Sequence, residues 1–148
     1  MIQDRDFLKV AVRLCLAGTE ADWRTASSRA YFAAFHCART LLTSMGFVVP
    51  RGDQAHGYLW RRLESCGAQR VGEVGSLLSE LRTYRNRADY DLMTNFTIRD
   101  AKYTVESADN LIQTLDQLTP EERSAAAETI QIYERDVLRE STWRSRPR

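Results

Sequence analysis

Residues 27–42 read SSRAYFAAFHCARTLL, and the fold is decided by how this stretch is read. Its apolar side chains fall on nearly every side of a 3.6-residue turn, and four of its sixteen residues are alanine. A helix at a protein surface shows one apolar stripe, whereas one that is apolar all round is covered on several sides. The stretch therefore predicts a central helix over about 21–45, with small side chains letting neighbouring backbones approach. Gly46 follows as a stop and Pro50 stands shortly beyond it.

Helical periods continue on both sides. Phe7, Ala11, Leu14 and Cys15 mark a first helix ending near Gly18. FVVPRGDQ reads as a loop, because Val48 and Val49 are too short a β-branched run for a sheet. A short helix over 54–66 turns Leu59 and Leu63 inward. Another, over 71–92, carries a stripe through Val71, Val74, Leu78, Leu81, Ala88 and Leu92. A fifth, over 97–118, repeats Ala101, Thr104, Ala108, Leu111, Leu115 and Leu118 at steps of three and four. TPEE then opens a last helix, with Thr119 as N-cap, Pro120 at the first helical position and Glu122 reaching back. That helix runs to about 140 on a thinner apolar face of Ala126, Ile130, Tyr133 and Val137. The end, STWRSRPR, reads as a basic, mobile tail over 141–148. The three prolines stand at boundaries or in that tail. The fold class is all-α.

At 148 residues the chain suits one domain with a real core, and 43% hydrophobic with 28% charged residues is an ordinary globular composition. A net charge of +1 gives no global field toward nucleic acid or an anionic membrane, so any such affinity must be local. No apolar run approaches the roughly 20 residues of a membrane span. Asp4, Asp6, Lys9 and Arg13 interrupt the place where a signal peptide would be apolar. Cys15, Cys37 and Cys66 are an odd, widely spaced set that reads as reduced core thiols. A cytoplasmic protein is expected.

One residue breaks the pattern. In RTYRNRADYDL, at 82–92, the stripe position between Leu81 and Ala88 is Arg85. A buried arginine without a partner is very costly. It can pair with Asp89 one turn on, face a carboxylate of another helix or subunit, or line a cleft that accepts an anion such as phosphate. Arg82 and Asn86 add donors along the same edge, while Arg87, about 200° around the helix, is expected to face solvent.

Taken together, SRAYFAAFHCARTLLTSMGF, the loop histidine of GDQAHGYL and LRTYRNRADYDL resemble the HEPN family over about 5–118. The resemblance implies an antiparallel bundle of four to five core helices over 1–118. Residues 119–140 would form an additional helix, and the tail would follow. It implies a homodimer in which the two arginine-bearing helices face each other. Many members are metal-independent RNA endonucleases whose motif is Arg, four to six residues, then His. Carried onto this chain, the motif arginine is Arg85, its polar follower Asn86, and the histidine position Tyr90. No histidine occurs after His56. Histidine exchanges protons near neutrality, and tyrosine would need its pKa brought down by roughly three from near 10. The Ala-Asp-Tyr variant belongs to a branch often paired with a small nucleotidyltransferase in toxin–antitoxin-like gene pairs.

Other candidates are fewer. Arg29, Phe32, His36 and Arg39 share one edge of the central helix, either joining Arg85 in a polar cleft or serving only the packing. His56 can cap a turn or touch a ligand. Neither histidine has a metal-like partner at helical spacing, so no metal and no cofactor is expected. Asp89 and Asp91 lie on different faces. VGEVG, at 71–75, lacks the strand and the lysine of a phosphate loop. Cys37 is expected to be buried and unreactive. Arg144, Arg146 and Arg148 are expected to be solvated. The reading favours a nucleotide- or RNA-binding or regulatory module over an enzyme, with Arg29, His36, Arg82, Arg85, Asn86, Asp89 and Tyr90 as its site. The rivals are a ribonuclease using Arg85, Asn86 and Tyr90, and a plain dimerisation module.

Overall fold

The computed structural model describes residues 1–144. Six α-helices follow one another: α1 (Asp4–Cys15), α2 (Glu20–Ser44), α3 (Gln54–Glu64), α4 (Gln69–Tyr90), α5 (Ile98–Asp116) and α6 (Pro120–Tyr133). A π-helical turn, Glu134–Leu138, closes the series. Among the described residues there is no strand beyond a single bridge between Phe47 and Trp143. The chain is all-α, as the periodicity predicts. No helix among the described residues is long and apolar enough to cross a membrane. The fourth helix stops at Tyr90, so Leu92, the expected end of its stripe, is 75% exposed.

Two compact units share these helices, Met1–Cys37 with Leu77–Gln113, and Ala38–Ser76 with the chain from Thr114 onward. In the first unit Ala26, Ala30, Ala33 and Ala34 are fully buried beside Tyr31 and Phe35, which accounts for the all-round apolar pattern of α2. Leu78, Leu81, Ala88, Phe96, Ala101, Ala108 and Leu111 supply further core. Buried hydroxyls need partners, and Ser27 Oγ and Thr104 Oγ1 meet at 2.6 Å.

The end of α4 is held by Arg24, which the sequence reading did not single out. The last carbonyls of a helix have no intrahelical donor. Arg24 Nη1 donates to the carbonyls of Arg87 at 3.2 Å and of Ala88 and Asp91 at 3.0 Å, and Nη2 donates to that of Thr94. Glu20 steadies the guanidinium at 3.1 Å and also accepts the Phe96 N–H at 2.9 Å.

In the second unit, Ala38, Leu42, Ala55, Leu59, Leu63, Val71, Leu115, Ala126 and Ile130 are buried. Gly75 explains the glycine-rich VGEVG segment, since a Cβ there would stand 2.9 Å from the Trp60 carbonyl and press on the Glu64 backbone. Helices α3 and α4 approach too closely at that point for any side chain. The Thr119 capping box forms as expected, with the Glu122 N–H donating to Thr119 Oγ1 at 3.1 Å.

After Tyr133 the structure departs from the sequence reading. The π-turn places Glu134, not Tyr133, inward, and Val137 is 64% exposed instead of buried. Glu134 is drawn in by charge: Arg62 Nε donates to its Oε2 at 2.8 Å, with both side chains almost wholly buried. The Thr142 N–H and hydroxyl also donate to Glu134, and Tyr58 joins through Thr142. Burial pushes the Tyr58 phenol up, which keeps its proton in place for that bond. Residues 142–144 are tied to the second unit by further hydrogen bonds. The Trp143 Nε1–H donates to the Met45 carbonyl at 2.9 Å, and the Arg144 N–H donates to that of Gly46 at 2.8 Å. Gly46, at φ 106°, leaves room for this contact; a Cβ there would lie 2.8 Å from Trp143 Nε1. Arg146 and Arg148 lie outside the described residues.

Candidate functional site

Arg85 sits in the first unit, on α4, with only 17% of its side chain exposed. Of the partners open to it, Asp89 is the one engaged. Arg85 Nε lies 2.9 Å from Asp89 Oδ2, a close ion contact in which the N–H is not directed along a hydrogen bond. Nη1 donates to Asn86 Oδ1 at 3.2 Å, and Ser28 Oγ donates to the same Asp89 oxygen at 3.0 Å. Helix α2 thus orients the carboxylate that orients the arginine.

Aromatic rings frame the guanidinium. Its Cζ lies 5.0 Å from the Phe32 ring centre and 5.3 Å from that of Tyr90, within cation–π range. Phe32 also carries Arg29, whose Cζ is 5.1 Å from that ring and 5.4 Å from the ring of Phe7. His36 stacks on Phe7 at 5.5 Å and stands 6.3 Å from Phe32. The spacing of Arg29, Phe32 and His36 along α2 therefore does bring them into one series with Arg85. Arg39 belongs to the second unit, as does His56, which is buried near the start of α3.

Below this series Tyr31 is 1% exposed. Burial raises its phenol pKa, and the positive charges of Arg82 and Arg85 only partly offset this. Tyr31 therefore stays protonated at neutral pH and is no general base. Arg82 is half-buried, and its Nε has no acceptor among the described residues. Arg85 pairs with Asp89, whereas Arg29 and Arg82 have no carboxylate partner among the described residues. Such an edge holds surplus positive charge and donors for an anion.

Tyr90 differs from the rings beneath it. It ends α4 and is 71% exposed, with the Arg85 guanidinium close to its ring. Asn86 is exposed beside it. Arg87 corrects an expectation, since it does not simply face solvent. It pairs with Asp100 at 2.7 Å and lies 5.1 Å from the Tyr84 ring and 5.2 Å from that of Phe96. The helix surface near residue 87 is covered by the start of α5, which helical periodicity alone cannot show. Among the described residues no three His, Cys, Asp or Glu side chains gather so as to hold a metal ion.

Missing from the sequence reading was Arg24, which ties together the carbonyls of Arg87, Ala88, Asp91 and Thr94. Its only local sign is Glu20 four residues earlier, a spacing shared by many solvent-facing pairs. No curated protein and no solved structure matches the chain. The model of the HEPN domain matches residues 5–118, a span that runs from the second residue of α1 through α5 and holds every residue of the Arg85 edge. The chain belongs to the HEPN domain family.

Proposed function

We propose that the chain is a non-catalytic HEPN module that binds RNA or a nucleotide along the Arg85–Tyr90 edge. It would act as a homodimer, paired with a small nucleotidyltransferase in a toxin–antitoxin-like system. The observation that carries the binding reading is the exposed Tyr90 ring with the Arg85 guanidinium 5.3 Å from its centre. A nucleobase stacks on such a ring and its phosphate meets the arginine, with Arg29 and Arg82 adding charge. The absence of cleavage follows from chemistry. Position 90, where the ribonuclease motif has histidine, is a tyrosine, and burial holds Tyr31 protonated.

The test is incubation of total RNA with the purified protein in EDTA, with Arg85→Ala in parallel and retention of labelled RNA measured on the same samples. Intact RNA that the wild type retains and Arg85→Ala releases supports the proposal. Fragments from the wild type alone would establish the ribonuclease reading instead. Intact RNA retained by neither protein would leave the edge as an oligomerisation surface.

A further inference from the structure

The second unit holds a cavity of about 280 Å³ that the Arg85 reading does not use. Tyr58, Arg61, Arg62, Glu140 and Thr142 are among its walls. The volume is at the small end of the range for ligand sites and exceeds what a bare inorganic anion fills.

Arg62 is 3% exposed and touches two carboxylates of different character. Glu134 is 1% exposed and also accepts from Thr142, so it is part of the permanent structure. Glu140 is 54% exposed, and its carboxylate accepts one hydrogen bond, from Arg62 Nη2 at 2.7 Å. A half-exposed carboxylate on one arm of a guanidinium is the contact that a dissolved oxyanion would make there. With Glu140 displaced, Glu134 still neutralises Arg62, so the exchange leaves no interior charge unpaired.

The mouth of the cavity is cationic. Arg61 is exposed and rests 5.3 Å from the Trp60 ring centre, with no carboxylate partner among the described residues. Arg51, next to the wall residue Pro50, likewise has none among the described residues. Among the residues that line the cavity, Glu140 supplies the carboxylate.

We propose that the cavity binds a small organic phosphate, whose oxygens replace the Glu140 carboxylate on Arg62 while Arg61 supplies a second cation. A dianion gains more than a carboxylate from two guanidiniums, and the remaining volume takes an organic group of glycerol or sugar size. Arg61 and Arg62 lie within residues 5–118 and Glu140 and Thr142 beyond them, so the site needs the C-terminal extension as well as the part of the chain that the family shares.

Calorimetric titration of the full chain with glycerol 3-phosphate tests this, with inorganic phosphate as the bare-anion probe. Glu140→Gln keeps the size but removes the competing charge, and it should bind glycerol 3-phosphate roughly tenfold tighter than the wild type. Arg61→Ala should weaken binding by roughly tenfold while keeping the wild-type circular dichroism spectrum. The Arg62 Nε–H resonance of the wild-type protein should shift during the titration, a reading that needs no variant. Equal affinities in wild type and Glu140→Gln, unchanged binding in Arg61→Ala, or an unmoved Arg62 resonance at saturation each overturn the proposal. So does inorganic phosphate binding as tightly as glycerol 3-phosphate.

Discussion

Arg85 is neutralised from within its own helix, yet its surroundings hold more cations than carboxylates. If RNA binds along this edge as proposed, Asp89 and a phosphate would compete for one guanidinium. Asp89→Asn should strengthen RNA retention, whereas Arg85→Ala should weaken it and lower the log–log salt slope by about one. Filter binding across a salt series reads both, and parallel slopes for Arg85→Ala and wild type would sink the phosphate contact. Tyr90 offers a ring more than a hydroxyl. Tyr90→Phe should bind nearly as well as the wild type, while Tyr90→Ala should lose about 1–3 kcal/mol for a stacked base. A loss in Tyr90→Phe equal to that in Tyr90→Ala would instead assign the effect to the phenol oxygen. The sequence disclosed Arg85 because a charge on an apolar stripe is a local anomaly. It could not disclose that Phe32 carries two guanidiniums, because that depends on how α2 and α4 pack.

At the scale of the element, the α4–α5 connection hangs on two carboxylates. Hydrogen bonding from the Phe96 N–H and from Arg24 holds Glu20 below the usual carboxylate range. Burial pushes Asp100 up, but donors from Thr97 and Arg87 together outweigh it, so its carboxyl is also held low. A depressed pKa contributes stability above the unfolded-state value, about 4, and that contribution is lost as pH falls through the folded value. The Phe96 amide proton shift should therefore follow Glu20 and that of Thr97 follow Asp100, each with a midpoint below the unfolded-state value of its carboxylate. Midpoints at or above that value would show that the carboxylates gain nothing from folding. Gly75 belongs at this scale too. Gly75→Ala should cost on the order of 1–3 kcal/mol by forcing α3 from α4, and a wild-type melting temperature would contradict that packing. The helices and the Thr119 cap were legible because 3.6-residue periodicity and capping are local properties. The Arg24 clamp was not, because it joins groups 63 to 70 residues apart.

Over the whole molecule, the largest departure from the sequence reading is the inward turn of Glu134. Arg62 and Glu134 stand 72 residues apart, and both occur in helices whose apolar faces seemed complete without them. Glu134→Gln removes one of two carboxylates from a buried guanidinium. It should cost about 3 kcal/mol, the low end for a broken buried pair because Glu140 remains. At roughly 2–4 °C per kcal/mol the melting temperature should fall by about 6–12 °C. Arg62→Met combined with Glu134→Leu should recover most of that loss, since no charge is then left in the interior. A double variant as unstable as the single one would locate the energy elsewhere. The seam between Phe47 and Trp143 has a consequence for biosynthesis. Residues of the first unit have all been made once Gln113 leaves the ribosome, whereas Gly46 waits for Trp143 and Arg144 before its carbonyl is paired. Translation thus orders assembly, with every residue of the first unit available while the second still lacks its closing strand-like contact.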